Sequence, residues 1–115
     1  MRIGLGEKRR RELETELARS LEAIVALGAL KVILFGSLAT GNVGKASDID
    51  LIIVKETDKR FLDRADEFYL ALDPTKAMDI LVYTPQEFEA MQATSSFVRR
   101  AVREGRVLYE ARPKG

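Results

Sequence analysis

Neither cysteine nor histidine occurs anywhere in this chain. Without cysteine there is no disulfide framework, no thiolate nucleophile and no zinc–thiolate site. Without histidine the Ser-His-Asp and Cys-His triads, the HExxH zinc helix and the commonest general base are all excluded. Metal chemistry has to use oxygen ligands, which directs it to magnesium, manganese or calcium. No apolar run approaches the roughly 20 residues of a membrane-spanning helix. The opening stretch MRIGLGEKRRRELE has a basic cluster but no apolar segment behind it, so it does not read as a secretory leader, and a cytoplasmic location is expected. A dominant charge is missing too. Nineteen basic residues face 18 acidic ones, for a net charge of +1, which gives no general pull toward nucleic acid or anionic lipid.

What is present suits one globular domain spanning residues 1–115. The hydrophobic fraction of 46% is enough for a core. Residues 8–27 predict a helix, with Leu13, Leu17, Leu21, Ile24 and Val25 at spacings of three and four and Gly28 as its stop. That stripe is either core or a face offered to a partner or a second copy. Lys31–Phe35 reads as a strand buried on both faces. Asp48–Val54 and Ala77–Tyr83 read as two more strands. Between them, 58–72 predicts a helix with Phe61, Ala65, Phe68 and Leu72 on one face, broken by Pro74. Thr84, Pro85 and Glu87 form the start of a further helix. Another runs over 95–104 to Gly105, 107–109 adds an edge strand, and the tail 111–115 is expected to fray. Phe61, Phe68 and Phe97 are spaced like core. The order of elements implies an α/β or α+β fold, a small mixed sheet flanked by helices.

Two acids interrupt the second strand. Side chains alternate across a strand, so Asp48 and Asp50 share a face with Ile52 and Val54, while Ile49, Leu51 and Ile53 take the other. Positions two apart are about 6.5 Å apart, close enough to lean onto one cation or onto a pair of cations. Asp79 sits inside the third strand. If that strand lies beside the second, Asp79 joins the same face, and three bare carboxylates would repel one another until a divalent cation relieved them. Asp48 alone could be an ordinary turn residue, but Asp50 and Asp79 need a partner or a function.

Ahead of the acids, the first strand ends in Gly36-Ser37, with a helical turn possible over Ser37–Thr40. Such a turn presents backbone N–H groups and a hydroxyl to an anion, and glycine lets a phosphate come close. Gly36 and Gly41 superficially match a P-loop, but Asn42-Val43 stands where Lys-Ser/Thr is required. The residues after Asp50 are wrong for an EF-hand, and Ile52 takes the place of the threonine in a phosphatase DxDxT motif.

Gly36-Ser37, Ala39, Gly41 and Ser47-Asp48-Ile49-Asp50-Leu51, with Asp79 on a later strand, resemble the signature of minimal nucleotidyltransferases of the DNA polymerase β superfamily. The resemblance spans residues 10–90. It implies that Asp48, Asp50 and Asp79 hold two magnesium ions, and that Gly36, Ser37 and Ser47 belong to the nucleotide site, the first two on the β- and γ-phosphates of a nucleoside triphosphate such as ATP. It also implies that Asp79 helps to deprotonate an acceptor hydroxyl, which attacks the α-phosphate and releases pyrophosphate. Relatives often carry Arg or Lys where Thr40 stands, a phosphate contact that Lys45 could replace. Short chains of this kind resemble the antitoxins paired with HEPN ribonuclease toxins, where AMP is placed on a toxin tyrosine. The resemblance leaves two functions open: an adenylylating enzyme, or a module that neutralises its partner by contact alone. A nucleic-acid reading would rest on Lys8–Arg11 and Arg99-Arg100, which lie among acids and read as solvated helix faces.

Overall fold

The computed structural model describes residues 4–112. Helix α1, Leu5–Ala26, is longer than the periodic stripe that predicts it. Leu13, Leu17 and Ile24 are buried in the main core and Leu21 packs against it, so these four are core, while Val25 is only half-buried at the edge of the stripe. Gly28 closes the helix at φ +99°, its N–H donating to Val25 O at 3.0 Å. This left-handed stop is the one the sequence implies.

Strand β1 is Lys31–Phe35, followed directly by the single-turn helix α2, Ser37–Thr40. Strands β2 and β3 are Ile49–Val54 and Met78–Tyr83. Helices α4 and α5 are Pro85–Thr94 and Ser96–Glu104, and β4 is Arg106–Glu110. Among the described residues the strands make one mixed sheet in the order β3-β2-β1-β4. β1 runs antiparallel to both β2 and β4, and β2 is parallel to β3.

Strand alternation sorts the apolar residues between two layers. Val32 and Leu34, Ile49, Leu51 and Ile53, and Ile80 and Val82 face α1 and the residues Phe68 and Leu72 of helix α3, Asp66–Leu72. Ile33, Ile52, Val54 and Tyr83 face Phe88, Val98 and Ala101 of α4 and α5. Each fully buried Leu, Ile or Phe contributes about 1.5–3 kcal/mol.

Three expectations are corrected here. The region 58–72 is not one helix. A 3-10 turn covers Phe61–Asp63, and the helix, α3, runs only over Asp66–Leu72. Tertiary contacts override the periodicity: buried Arg64 donates to Lys59 O at 2.9 Å and to Glu87 Oε1 at 2.6 Å. That pins 59–64 against β3 and α4, and Phe61 stacks on Tyr83 instead of entering the core. Phe97 is likewise not core but 45% exposed. The expected stop at Gly105 does form, ending α5 at Glu104 with φ −82° rather than a left-handed turn. A Cβ there would run into the carbonyls of Ala101 and Leu34, so glycine is needed for close approach of α5 to β1.

The Thr84 cap forms as the sequence predicts, Thr84 Oγ1 accepting from Glu87 N–H at 3.2 Å and Glu87 Oε1 from Thr84 N–H at 2.9 Å. Of the tail, residues 113–115 lie outside the described residues, whereas Ala111 N–H is tied to Leu30 O at 2.8 Å.

Candidate active site

The register of the sheet builds the site. Phe35 pairs with Asp50, and Asp50 with Asp79. These three residues form a row across β1, β2 and β3, on the face shared with Ile52, Val54 and Tyr83. Neighbouring strands are about 4.8 Å apart, so the two carboxylates are immediate neighbours. Asp79 is not mid-strand as the sequence suggests. Both acids are the second residues of their strands, and Asp79 is exposed because it sits where the edge strand begins.

Asp50 is half-buried, and its carboxyl is pushed up to about 6. Burial is the largest cause, followed by the charges of Asp79 and Asp48, and a hydrogen bond to the Asp79 carboxyl adds to them. Among the described residues the Asp50–Asp79 pair therefore lacks a positive partner of its own. Asp48 lies one residue ahead of β2 rather than in it, and its carboxylate is 3.8 Å from Arg9 Nη2. Among the described residues no set of three acidic side chains is gathered closely enough to enclose an ion. The structure thus brings Asp50 and Asp79 together and holds Asp48 off toward α1. The oxygen-only donor set of the pair suits a hard divalent cation.

Gly36 follows Phe35 and so abuts Asp50. It adopts φ +75°, and a Cβ on it would collide with the Asp50 carboxylate. Glycine is required here twice over, for the left-handed backbone and for the approach. Its carbonyl accepts from Ala39 and Thr40 N–H at 3.1 and 3.2 Å, closing the turn of α2 beside the acids. Ser37 and Ser47 are half-buried, and the Ser47 hydroxyl accepts from Gly44 N–H at 2.8 Å to close the loop before Asp48. Lys45 is exposed in that loop.

Several contributors are hidden in the sequence. Arg9 and Arg10 belong to the basic run that reads as a solvated face. Arg9 instead donates to Ser47 O at 3.0 Å and Arg10 to Gly41 O at 2.8 Å, so α1 holds both ends of the 41–47 loop. Tyr69 of α3 reaches the free edge of β3, where its hydroxyl donates to Met78 O and accepts from Ile80 N–H, both at 3.0 Å. Those groups flank Asp79, so Tyr69 holds its stretch of edge strand. Glu16 of α1 is 4% exposed and accepts from Thr75 and Lys76 in the turn that leads into β3. A lone acid at a helix position gives no sign of such a latch.

A family model described as a nucleotidyltransferase domain matches residues 11–109. A Methanocaldococcus jannaschii protein, provisionally named a protein adenylyltransferase, is 36% identical over 80 residues, covering 69% of this chain and 77% of that protein. A provisionally named nucleotidyltransferase from Sulfolobus solfataricus superposes with a TM-score of 0.66 at 17% identity, over 99% of this chain and 94% of the other. A chain from the crystal structure of a toxin–antitoxin with AMP-PNP superposes with a TM-score of 0.51 at 20% identity, over 86% and 74%. At those identities the two structures report a shared fold.

Proposed function

The chain belongs to the nucleotidyltransferase domain family, and from that premise we propose that it transfers AMP from ATP to a hydroxyl of a partner protein. The proposed acceptor is a tyrosine of a HEPN-type toxin, which makes the chain an antitoxin. The observation that carries this reading is the Asp50–Asp79 pair set against the Gly36-Ser37 turn. The name of the M. jannaschii relative supports a protein acceptor, and the AMP-PNP of the toxin–antitoxin structure supports an adenine nucleotide and a toxin partner.

Nucleotidyltransferase domains generally use divalent metal ions, and Asp50, Asp79 and Asp48 are the residues that would hold magnesium, two ions in the full reading. Such ions supply charge neutralisation for phosphate and carboxylate and acidify a bound hydroxyl. The chain's own part is positional. Gly36 and Ser37 receive the β- and γ-phosphates through N–H groups and a hydroxyl. Asp50 faces the α-phosphate. Asp79, exposed on the outer side of Asp50, orients the acceptor hydroxyl and takes its proton. The hydroxyl oxygen bonds to the α-phosphorus as the bond to the β-phosphate oxygen breaks and pyrophosphate leaves. This charge-developing displacement gains most from groups already in place.

The test is label transfer from α-labelled ATP with magnesium, in lysate of the source organism, using wild type and the Asp48→Asn/Asp50→Asn double variant. A labelled protein band with wild type alone is expected. Identical bands from both would remove the enzymatic reading and leave an antitoxin that acts by contact.

A further inference from the structure

A cleft of about 380 Å³ opens beside the Gly36-Ser37 turn, between α2 and α5. That lies within the usual range of small-ligand pockets, about 300–1,000 Å³. Phe35, Gly36 and Ser37 line one side, and Phe97, Arg100 and Glu104 the other. We infer that this cleft is the nucleoside subsite, with Phe97 the platform on which a purine base stacks. The inference rests on the nucleotidyltransferase reading of the acid pair and goes beyond it, because the acid motif encodes nothing about the base.

Position argues first. In the row Phe35–Asp50–Asp79 the cleft lies at the Phe35 end and the exposed Asp79 at the other. A nucleotide with its α-phosphate at Asp50 has open solvent on the Asp79 side for an acceptor. Its sugar and base are left the β1 side, where the cleft is walled by Phe35, the Gly-Ser turn, Thr40 and Asn42 on one hand and by α5 on the other. Phosphate turn and cleft share Gly36 and Ser37, so one molecule can occupy both.

Chemistry argues second. Helix α5 buries Val98 and Ala101, yet keeps the large ring of Phe97 45% exposed at the cleft. Phe35 meets that ring edge to face, with centroids 5.4 Å apart and planes at 88°. The contact holds Phe97 in one orientation, which lowers the entropy lost when a base stacks on it. Along the same helix face Arg100 donates to Glu104 at 3.1 Å. The pair sets a cationic donor and a carboxylate acceptor at the wall, suited to the polar edge of a base or to ribose hydroxyls. Phe97, Arg100, Ala101 and Glu104 recur at helical spacing, so one face of α5 serves the cleft.

The test is calorimetric titration of the full chain, with magnesium, by ATP, CTP and inorganic tripolyphosphate. Base–aromatic stacking corresponds to a roughly five- to 150-fold effect on affinity. Wild type should bind ATP more tightly than CTP, and Phe97→Ala should weaken ATP by about ten-fold or more, change tripolyphosphate by less than about two-fold, and erase that difference between ATP and CTP. Phe97→Tyr should keep wild-type affinity, and Ser37→Ala should weaken ATP and tripolyphosphate alike. Thermal melts check that each variant is folded, which half-exposed Phe97 permits. ATP binding indifferent to Phe97→Ala overturns the inference while sparing the nucleotidyltransferase reading. So does a loss shared equally with tripolyphosphate. If Phe97→Ala binds ATP normally but fails in label transfer, the cleft serves the acceptor and the inference falls. If wild type binds none of the three ligands, the nucleotidyltransferase reading itself fails.

Discussion

Glu16→Gln should destabilise the protein at neutral pH and cease to matter in acid. In the folded chain the Glu16 carboxyl is held at about 2, against an ordinary value of 4.5. Its hydrogen bond from Arg19 is the largest cause. Burial opposes it, and bonds from the Thr75 hydroxyl and N–H reinforce it. Each tenfold change in proton affinity corresponds to about 1.4 kcal/mol, which puts a ceiling of about 3 kcal/mol on the contribution. Arg19 is 48% exposed, and screening on that side reduces the expected loss to about 1–2 kcal/mol. A carboxyl whose affinity for protons is depressed by folding stabilises the fold above its unfolded value and loses that effect as pH falls. The difference between wild type and Glu16→Gln should therefore be full above pH 4.5, shrink below it and close near pH 2. Urea unfolding of both proteins at a series of pH values measures it. Acids other than Glu16 titrate in both proteins and cancel in the difference. A difference that stays constant with pH, or equal stability at pH 7, would refute the reasoning.

Other expectations concern the site and its supports. Gly36→Ala adds a Cβ that can be relieved only by moving Asp50 off its position or by distorting a left-handed turn. Label transfer should be lost, while urea unfolding shows a moderate cost of about 1–3 kcal/mol. Tyr69→Phe removes both hydrogen bonds to the β3 edge. It should cost about 1–2 kcal/mol and speed amide exchange at Ile80, read by NMR, with little change elsewhere. Arg64→Met strips Glu87 and the carbonyls of Lys59 and Val82 of a buried partner. Because Glu87 keeps 43% exposure, the expected loss is about 1.5–3 kcal/mol, seen as a lower melting temperature.

Much of the molecule is legible in its local sequence patterns. The leucine stripe of α1, the strand KVILF, the cap at Thr84 and the order of elements are of this kind, and local patterns survive folding when nothing stronger opposes them. Asp50 and Asp79 stand out because a carboxylate in an apolar strand is costly without a purpose. The segment 58–72 departs from its pattern because its periodicity is genuine but its backbone answers to Arg64, whose partners are Lys59, Val82 and Glu87. Phe97 reads like core because spacing says which residues share a helix face, and says nothing of what lies opposite that face.

The sequence by itself determined which residues could do chemistry. Cysteine and histidine are absent, so thiolate and imidazole chemistry are excluded, and Gly36-Ser37 with Asp48, Asp50 and Asp79 stand out as the candidate residues. Only the tertiary structure decided how they meet. The register of β1, β2 and β3 puts Phe35, Asp50 and Asp79 in one row, and it turns Gly36 against Asp50. Packing of α1 draws Asp48 toward Arg9, and packing of α5 brings Phe97 beside the Gly-Ser turn. These contacts join residues far apart in the chain. Their partners are chosen by which faces become buried together, a choice no local stretch of sequence makes alone.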